Sequence, residues 1–135
     1  MMKLVIDTNI ILDVLLEREP FFEDSKAILK MCEEKSIEGF VTASTITDIF
    51  YITRKALHST NSAYKAIEHM LNIVKVLSVT NADVNEAFLQ KAQDFEDCLL
   101  ATCAKSNKCD GIVTRNIKDF LSFNIALIDP KSLIE

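Results

Sequence analysis

Five aspartates have the residue type and the placement to bind a divalent metal ion. They share a position shortly after a predicted strand or near the predicted start of a helix: Asp7, Asp48, Asp94, Asp97 and Asp119. Mg²⁺ and Mn²⁺ prefer oxygen ligands of this kind. One or two such ions activate water and stabilise in-line attack on a phosphodiester. The aspartates therefore indicate metal-dependent hydrolysis, provided that the fold brings them together.

Carboxylates gathered in this way need a counter-charge. Two of them about 4 Å apart repel by about 4 kcal/mol at an effective dielectric constant of about 20. Three or four could not all stay ionised without compensation, and some would take up protons. No lysine or histidine stands directly beside Asp7, Asp48 or Asp97 in the sequence. A divalent cation is the natural counter-charge.

Asp7 and Asp48 also have plain structural interpretations. Asp7 follows the apolar run Leu4–Ile6 and is in place to cap a helix that starts near Asn9–Ile10. Asp48 follows a predicted N-cap at Ser44, and a solvated carboxylate in the first turn of a helix is electrostatically favoured. Taken one at a time, neither aspartate decides between metal binding and a structural role.

The pair Asp94 and Asp97 is the densest acidic group of the chain. Asp94 has the spacing of an N-cap whose carboxylate accepts from the Asp97 amide, which needs no catalytic role. Asp97 is harder to explain this way, because the residues after it, Cys98–Ala104, are largely apolar and the next basic side chain is Lys105. A carboxylate that begins a buried helix needs a partner.

Short apolar runs alternate with helical patterns, which indicates crossover units and a parallel sheet. The predicted strands are Leu4–Ile6, Gly39–Thr42, Val76–Val79, Ile112–Thr114 and Ala126–Ile128. The predicted helices are Phe22–Lys35, Ser44–Leu57, Asn61–Lys75, Ala82–Lys91 and Phe95–Ser106. We expect one α/β domain over residues 1–135 with helices on both faces of the sheet. The second and third of these helices are expected to form a hairpin. Because the ends of parallel strands share one edge, Asp7 and Thr114 are expected to lie close together.

Composition narrows the class of protein. The chain has 135 residues, of which 49% are hydrophobic, enough for one core. Its net charge of −5 argues against a broad basic groove for nucleic acid. The four cysteines form no Cys-x-x-Cys pair, so a zinc site is not expected, and Cys98 and Cys103 are predicted to be buried. There is no apolar run long enough for a membrane span and no signal-peptide pattern, so the expected location is cytoplasmic.

Four motifs, in order along the chain, resemble the PIN domain family: Asp7-Thr-Asn9, Ser44-x-x-x-Asp48, Asp97-x-x-x-Ala101-x-x-Ala104 and Thr114-Arg-Asn116-x-x-Asp119-Phe. The resemblance covers nearly the whole chain, and the length suits the single-domain, VapC-like toxin ribonucleases. It implies an α/β/α sandwich around a central, mainly parallel sheet. It also implies cleavage of RNA by a water that Mg²⁺ or Mn²⁺ activates, in the toxin of a type II toxin–antitoxin pair.

The resemblance assigns roles to individual residues. It makes Asp7, Asp48 and Asp97 metal ligands, adds Asp119 to the catalytic group, and gives supporting roles to Asn9, Thr114, Asn116 and Asp94. Two positions depart from the family pattern. The second acidic position is commonly glutamate, and the fourth, directly after Thr-Arg, is commonly aspartate. Here they are Asp48 and the neutral Asn116, so Asp119 or Asp94 is the candidate for the missing charge and one metal ion is expected rather than two.

The resemblance also implies partners: RNA as substrate, a second copy in a homodimer, and a small antitoxin with a basic segment for the acidic cleft. Arg115 and Lys118 are the predicted phosphate contacts, with solvated surface charge as the alternative for each.

Two other functions compete with the ribonuclease. A catalytically inactive protein-binding module on the same fold would explain Asn116 and the acidic surface. A phosphotransfer enzyme or receiver domain would also keep aspartates at strand ends. A phosphotransfer enzyme of this kind would need a second aspartate at the position of Asn9, and a receiver domain would need an acidic pair with a strand-end lysine. The sequence lacks these features.

Overall fold

The computed structural model describes residues 1–135. Its strands are β1 (Lys3–Ile6), β2 (Glu38–Thr42), β3 (Lys75–Leu77), β4 (Gly111–Val113) and β5 (Leu127–Ile128). Its helices are α1 (Thr8–Leu15), α2 (Phe22–Glu33), α3 (Ala43–Leu57), α4 (Thr60–Leu71), α5 (Asn81–Gln90), α6 (Phe95–Ser106), α7 (Ile117–Phe120) and α8 (Pro130–Ile134). A 3₁₀ turn, Leu121–Phe123, follows α7. None of these helices combines the length and the apolar character that a membrane span needs.

The strands form one parallel sheet in the order β3-β2-β1-β4-β5. In register, Val5 pairs with Phe40 of β2 on one side and with Ile112 of β4 on the other. From β1 the chain adds β2 and β3 on one side of the sheet and then β4 and β5 on the other side. The strand order therefore reverses between β1 and β4. Parallel sheets of this kind bind ligands at that reversal, outside the carboxyl ends of the strands.

Helices cover both faces of the sheet, because successive side chains of a buried strand point to opposite faces. Leu4 and Ile6 pack into one hydrophobic core with α1–α4, and Val5 packs into a second core with α5 and α6. Cys98 and Cys103 belong to the second core and are fully buried, as predicted. The predicted α/β/α architecture is confirmed. The two helices between β2 and β3 pack against each other, as expected for a hairpin.

The start of α3 corrects the prediction of an N-cap at Ser44. Thr42, the last residue of β2, is the cap, and its hydroxyl oxygen accepts from the Thr45 amide at 3.3 Å. Strand and helix therefore join without a loop, and α3 begins at Ala43 rather than Ser44. This places Asp48 in the second turn of α3.

Other boundaries move by a few residues. The helix predicted over Asn61–Lys75 ends at Leu71, because the chain turns there and Lys75 is the first residue of β3. The helix predicted over Ala82–Lys91 ends at Gln90, and Lys91 takes the left-handed conformation that terminates it. The strand predicted over Val76–Val79 is displaced toward the N-terminus and spans Lys75–Leu77.

Gly39 of β2 is needed because α2 packs directly on it. A Cβ atom at this position would lie 2.5 Å from Cys32 Sγ and 3.2 Å from Val74 Cγ1. We expect Gly39→Ala to lower the free energy of unfolding by about 1–3 kcal/mol, the usual cost of overpacking a core. Urea unfolding measures the loss. The control is the same substitution in a Cys32→Ala background, where removing the sulfur should recover part of it. Strict additivity of the two substitutions would contradict the contact.

Candidate active site

Asp7 lies at the carboxyl end of β1 and is oriented by the loop that follows β4. Its Oδ2 accepts a hydrogen bond of 2.8 Å from the Thr114 hydroxyl, and the Asn116 amide donates to the same hydroxyl oxygen at 3.0 Å. Asp7 occupies the N-cap position of α1, but its side chain makes no capping hydrogen bond. The carboxylate is buried, at 5% exposure, and is not used as a cap.

Asp97 shares a small cavity with Asp7. The cavity holds about 10 Å³ and is lined by Asp7, Thr8, Thr42, Ser44, Thr45, Glu96, Asp97, Leu99 and Leu100. This is room for about one water-sized sphere. Asp94 caps α6, as the structural interpretation predicted, by accepting from the Asp97 amide at 2.9 Å. The cap fixes the backbone of Asp97, whose side chain lines the cavity and also contacts the carboxyl group of Asp94.

Asp48 contacts Glu96, a residue of the cavity that the sequence analysis did not single out. It is half-buried on α3, and its carboxyl group is in hydrogen-bond contact with that of Glu96 on the first turn of α6. Glu96 lines the cavity, whereas Asp48 is not among the lining residues. Glu96 stands beside Asp97 in the same acidic run, and that was the one available signal for it.

The supporting residues predicted from sequence lie around this cavity in different ways. Asp119 on α7 is close enough for its charge to act on both Asp7 and Asp97. Asn116 contacts Thr114 through its backbone amide. Asn9 lies half-buried in the first turn of α1, and Lys118 is exposed on α7. The metal, catalytic and phosphate roles of these residues stay predictions.

The Arg115 side chain forms an ion pair with a residue of α1. Its guanidinium donates to both carboxylate oxygens of Asp13, at 2.9 and 3.1 Å, and stacks 3.9 Å from the centre of the Phe21 ring. Asp13 is fully buried on α1, where the Ser25 hydroxyl also donates to it at 3.0 Å. The pair ties the residue that follows Thr114 to α1. It therefore anchors the loop that orients Asp7.

The cavity concentrates negative charge. Burial, reinforced by the charges of Asp94, Asp7 and Asp119, raises the pKa of Asp97 to about 7. Burial also raises the pKa of Asp7, although the Thr114 hydroxyl, the Thr8 amide and Arg115 act against it. The contact with Asp48, together with partial burial and neighbouring carboxylates, raises the pKa of Glu96 to about 7. The nearest lysine along α6, Lys105, donates instead to the Phe123 carbonyl at 2.9 Å.

The oxygen atoms that line the cavity are suitable ligands for a hard cation. Every polar side chain lining the cavity carries oxygen, and the volume suits one small ion. No group of three or more acidic, histidine or cysteine side chains surrounds a common point in the structure. Asp7 and Asp97 do supply two carboxylates to one cavity. Mg²⁺ commonly uses one or two carboxylates, keeps several waters and takes further oxygens from a phosphate substrate.

We expect the metal-free protein to lose stability as the pH rises from about 4 to about 7. The ordinary pKa of Asp97 is 3.8, and the fold raises it to about 7, so the folded chain holds this proton more tightly than the unfolded chain. Its contribution to stability is therefore complete below the unfolded pKa and is lost as the pH rises through the folded pKa. Urea unfolding in EDTA at several pH values across this window measures the slope.

Asp97→Asn should flatten this pH dependence. The matched control is Asp24→Asn, because α2 and α6 both open with the tripeptide Phe-Glu-Asp and Asp24 is the counterpart of Asp97. An unchanged slope in Asp97→Asn would show that other groups produce the dependence.

Comparison with known proteins gives one family and a set of similar folds. The family model described as PIN domain matches residues 3–118. Comparison with curated proteins gives no match. Among solved structures, a toxin–antitoxin complex from Klebsiella pneumoniae is 19% identical and superposes with a TM-score of 0.67, covering 94% of this chain and 97% of that chain.

Two further solved structures are similar in fold. VapBC2 from Rickettsia felis, bound to a DNA fragment from its promoter, is 16% identical with a TM-score of 0.71, over 95% of this chain and 98% of that chain. VapC20 from Mycobacterium tuberculosis, a toxin that cleaves the sarcin–ricin loop, is 12% identical with a TM-score of 0.65, over 81% of this chain and 86% of that chain. At these identities the likeness concerns the fold.

Proposed function

The chain belongs to the PIN domain family, and on that premise we propose that it is a metal-dependent endoribonuclease, the toxin of a type II toxin–antitoxin pair. The observation that carries the proposal is the meeting of Asp7 and Asp97 in one cavity at the reversal of strand order. Asp97 gains a strongly raised pKa there, and such clusters in clefts mark functional sites.

Asp7 and Asp97 would hold Mg²⁺ or Mn²⁺, with Asp48 and Asp119 as the further acidic residues of the site. When bound, the ion lowers the pKa of a coordinated water and neutralises charge that develops on the phosphate. Other residues of the protein hold these two aspartates in position. Thr114 holds one oxygen of Asp7 at 2.8 Å, and the Asp94 cap holds the backbone of Asp97.

Polar side chains complete the wall of the cavity. The Thr8 and Thr45 hydroxyls are 2.9 Å apart, and Thr45 also contacts the Thr42 hydroxyl at 3.3 Å. Together with Ser44, these groups give the cavity donors that suit phosphate oxygens. Arg115 and Lys118 remain the proposed contacts to the RNA backbone farther from the cavity.

The partners belong to the same proposal. A small antitoxin is supported by the solved toxin–antitoxin complexes of similar fold. The acidic residues around the cavity would bind a basic antitoxin segment through charge-assisted hydrogen bonds. We also propose a homodimer and a cytoplasmic location, where RNA substrate is present.

Incubation of the purified protein with a mixed RNA pool and Mn²⁺ tests the proposal. We expect discrete cleavage products that disappear with EDTA and return when excess Mn²⁺ is added. Intact RNA under all conditions, together with no calorimetric signal for Mn²⁺, would sink the catalytic assignment. It would favour the second candidate, a protein-binding module on the same fold. Two observations favour this second candidate: the neutral Asn116 and the lack of a group of three metal-binding side chains.

A further inference from the structure

The α3–α4 hairpin contains the longest stretch of the chain without acidic side chains. No aspartate or glutamate lies between Asp48 and Glu68, although the chain has 20 of them. The same stretch holds three basic residues, Arg54, Lys55 and Lys65, and all of them are exposed. None of the three forms an ion pair. The hairpin is therefore a local positive region on a protein whose net charge is −5.

Aromatic rings lie among these basic side chains. Tyr51 and Tyr64 are 61% and 60% exposed. Both rings pack edge-on against the half-buried Phe50 ring, with centres 5.6 and 5.0 Å from its centre. The Arg54 guanidinium stacks on Phe50 and Tyr51. These contacts hold the two tyrosine rings in place, while most of their surface faces solvent.

One face of α3 connects the hairpin to the acidic cavity. Four side chains at intervals of four, three and four residues lie along this face: Ser44, Asp48, Tyr51 and Lys55. Ser44 lines the cavity, and Tyr51 and Lys55 are exposed. At about 1.5 Å per residue, Tyr51 is about 10 Å and Lys55 about 16 Å from Ser44 along the helix axis. A long ligand that enters the cavity can therefore continue along this face.

We propose that single-stranded RNA binds this side of the hairpin, which we call the hairpin surface and define by Tyr51, Arg54, Lys55, Tyr64 and Lys65. The inference rests on the proposed function and deepens it, because it names the surface that holds the substrate strand while one phosphate lies in the cavity. Bases of the strand stack on the two tyrosines, and its phosphates contact the three basic side chains. Exposed aromatic rings combined with basic side chains are the features by which proteins bind single strands.

Charge and base stacking favour a single strand of RNA over other ligands of this surface. The antitoxin segment proposed for the cavity is basic, so the hairpin surface would repel it, whereas RNA has the opposite charge. The bases of a single strand are free to stack on aromatic side chains, which the paired bases of a duplex are not. Sites for single strands span about four nucleotides or more, so one strand can occupy both the cavity and the hairpin surface.

Fluorescence anisotropy of a labelled, single-stranded RNA oligonucleotide of mixed sequence tests the inference on the full chain. The titration is done in EDTA, which prevents metal-dependent cleavage. We expect Tyr51→Ala to weaken binding by about fivefold or more, which corresponds to the loss of one stacked base. Tyr51→Phe keeps the ring and should bind like the unsubstituted protein. Thermal unfolding of each variant checks the fold, which the exposed position of Tyr51 favours.

Phe88→Ala is the matched control for the loss of the ring. Phe88 on α5 is also an exposed aromatic residue, at 55%, and the Lys91 ammonium lies 3.2 Å from the centre of its ring. It differs in position, because α5 covers the other face of the sheet. We expect Phe88→Ala to bind RNA like the unsubstituted protein. An equal loss in Phe88→Ala and Tyr51→Ala would contradict a specific role for the hairpin surface.

The salt dependence of binding tests the basic side chains separately. For single strands, the logarithm of the binding constant falls with the logarithm of the salt concentration by about 0.7 for each phosphate that is neutralised. Lys55→Gln should therefore make this slope shallower by about 0.7. The control is Lys26→Gln, since Lys26 is an exposed lysine of α2 that lies 5.5 Å from the Phe22 ring centre, outside the hairpin. An unchanged slope in Lys55→Gln would contradict the phosphate contact.

The outcomes separate the inference from the proposed function. If Tyr51→Ala and Lys55→Gln bind RNA like the unsubstituted protein, the inference is overturned and a protein becomes the alternative ligand of the surface. Cleavage of RNA with Mn²⁺ would then still support the proposed function. If binding depends on Tyr51 and Lys55 but RNA stays intact with Mn²⁺, the inference holds and the ribonuclease proposal fails. Absence of RNA binding by the unsubstituted protein also overturns the inference.

Discussion

Asp97→Asn is expected to lower the rate of RNA cleavage by at least about 100-fold, since a ligated ion contributes several kcal/mol to the transition state and about 1.4 kcal/mol corresponds to a factor of ten. The substitution keeps the shape of the side chain. It also leaves the backbone amide that Asp94 accepts from at 2.9 Å. The loss should therefore come from the missing charge in the cavity. Rates are measured on one RNA substrate at saturating Mn²⁺.

The control for this experiment is Asp24→Asn, which removes the same charge from the same helix position of α2. It should cleave RNA at the unsubstituted rate. Asp7→Asn should behave like Asp97→Asn, because an asparagine oxygen still accepts from the Thr114 hydroxyl but the carboxylate charge is gone. Equal rates in Asp97→Asn and Asp24→Asn would remove Asp97 from the catalytic group.

Arg115→Ala is expected to lower the free energy of unfolding by about 3 kcal/mol, because it leaves a buried carboxylate without its charged partner. Asp13 is fully buried and receives two hydrogen bonds from the Arg115 guanidinium. The other cation near it, Arg18, is 3.9 Å away. Urea unfolding at neutral pH measures the loss. The same substitution should also loosen the loop that holds Thr114 against Asp7.

Arg54→Ala is the matched control for this loss of stability. Arg54 also stacks on aromatic rings, with its guanidinium carbon 5.8 Å from the Phe50 ring centre and 5.6 Å from that of Tyr51, but it has no buried acidic partner. We expect it to cost no more than about 1 kcal/mol. Asp13→Asn should recover part of the loss in the Arg115→Ala background. Similar losses for Arg115→Ala and Arg54→Ala would show that the buried pair adds nothing.

The sequence predicted the fold well because its signals are local and repeated. Short runs of branched residues alternate with helical spacing, and this alternation is enough to indicate a parallel sheet with helices on both faces. The boundaries that were predicted wrongly lie where one element passes into the next. The cap of α3 is Thr42 rather than Ser44, because the strand passes directly into the helix and the Thr42 hydroxyl is already in place.

The site was predicted only in part, for a similar reason. Asp7 and Thr114 each follow a strand, and strand ends meet at one edge, so their proximity could be inferred. Whether Asp48 reaches the cavity depends on how α3 and α6 approach each other, which has no periodic signal in the sequence. The pairing of Arg115 with Asp13 is likewise a contact between distant elements, which no sequence pattern indicates.

The central position of β1 has a consequence for synthesis of the protein. The second edge of β1 stays unpaired until β4 is synthesised. Asp7 likewise lacks its hydrogen bond from Thr114, which is 107 residues later in the chain. A nascent chain that has not yet released β4 from the ribosome cannot orient Asp7. The proposed nuclease activity would therefore arise only after β4 has emerged, and fragments ending before that strand should lack it.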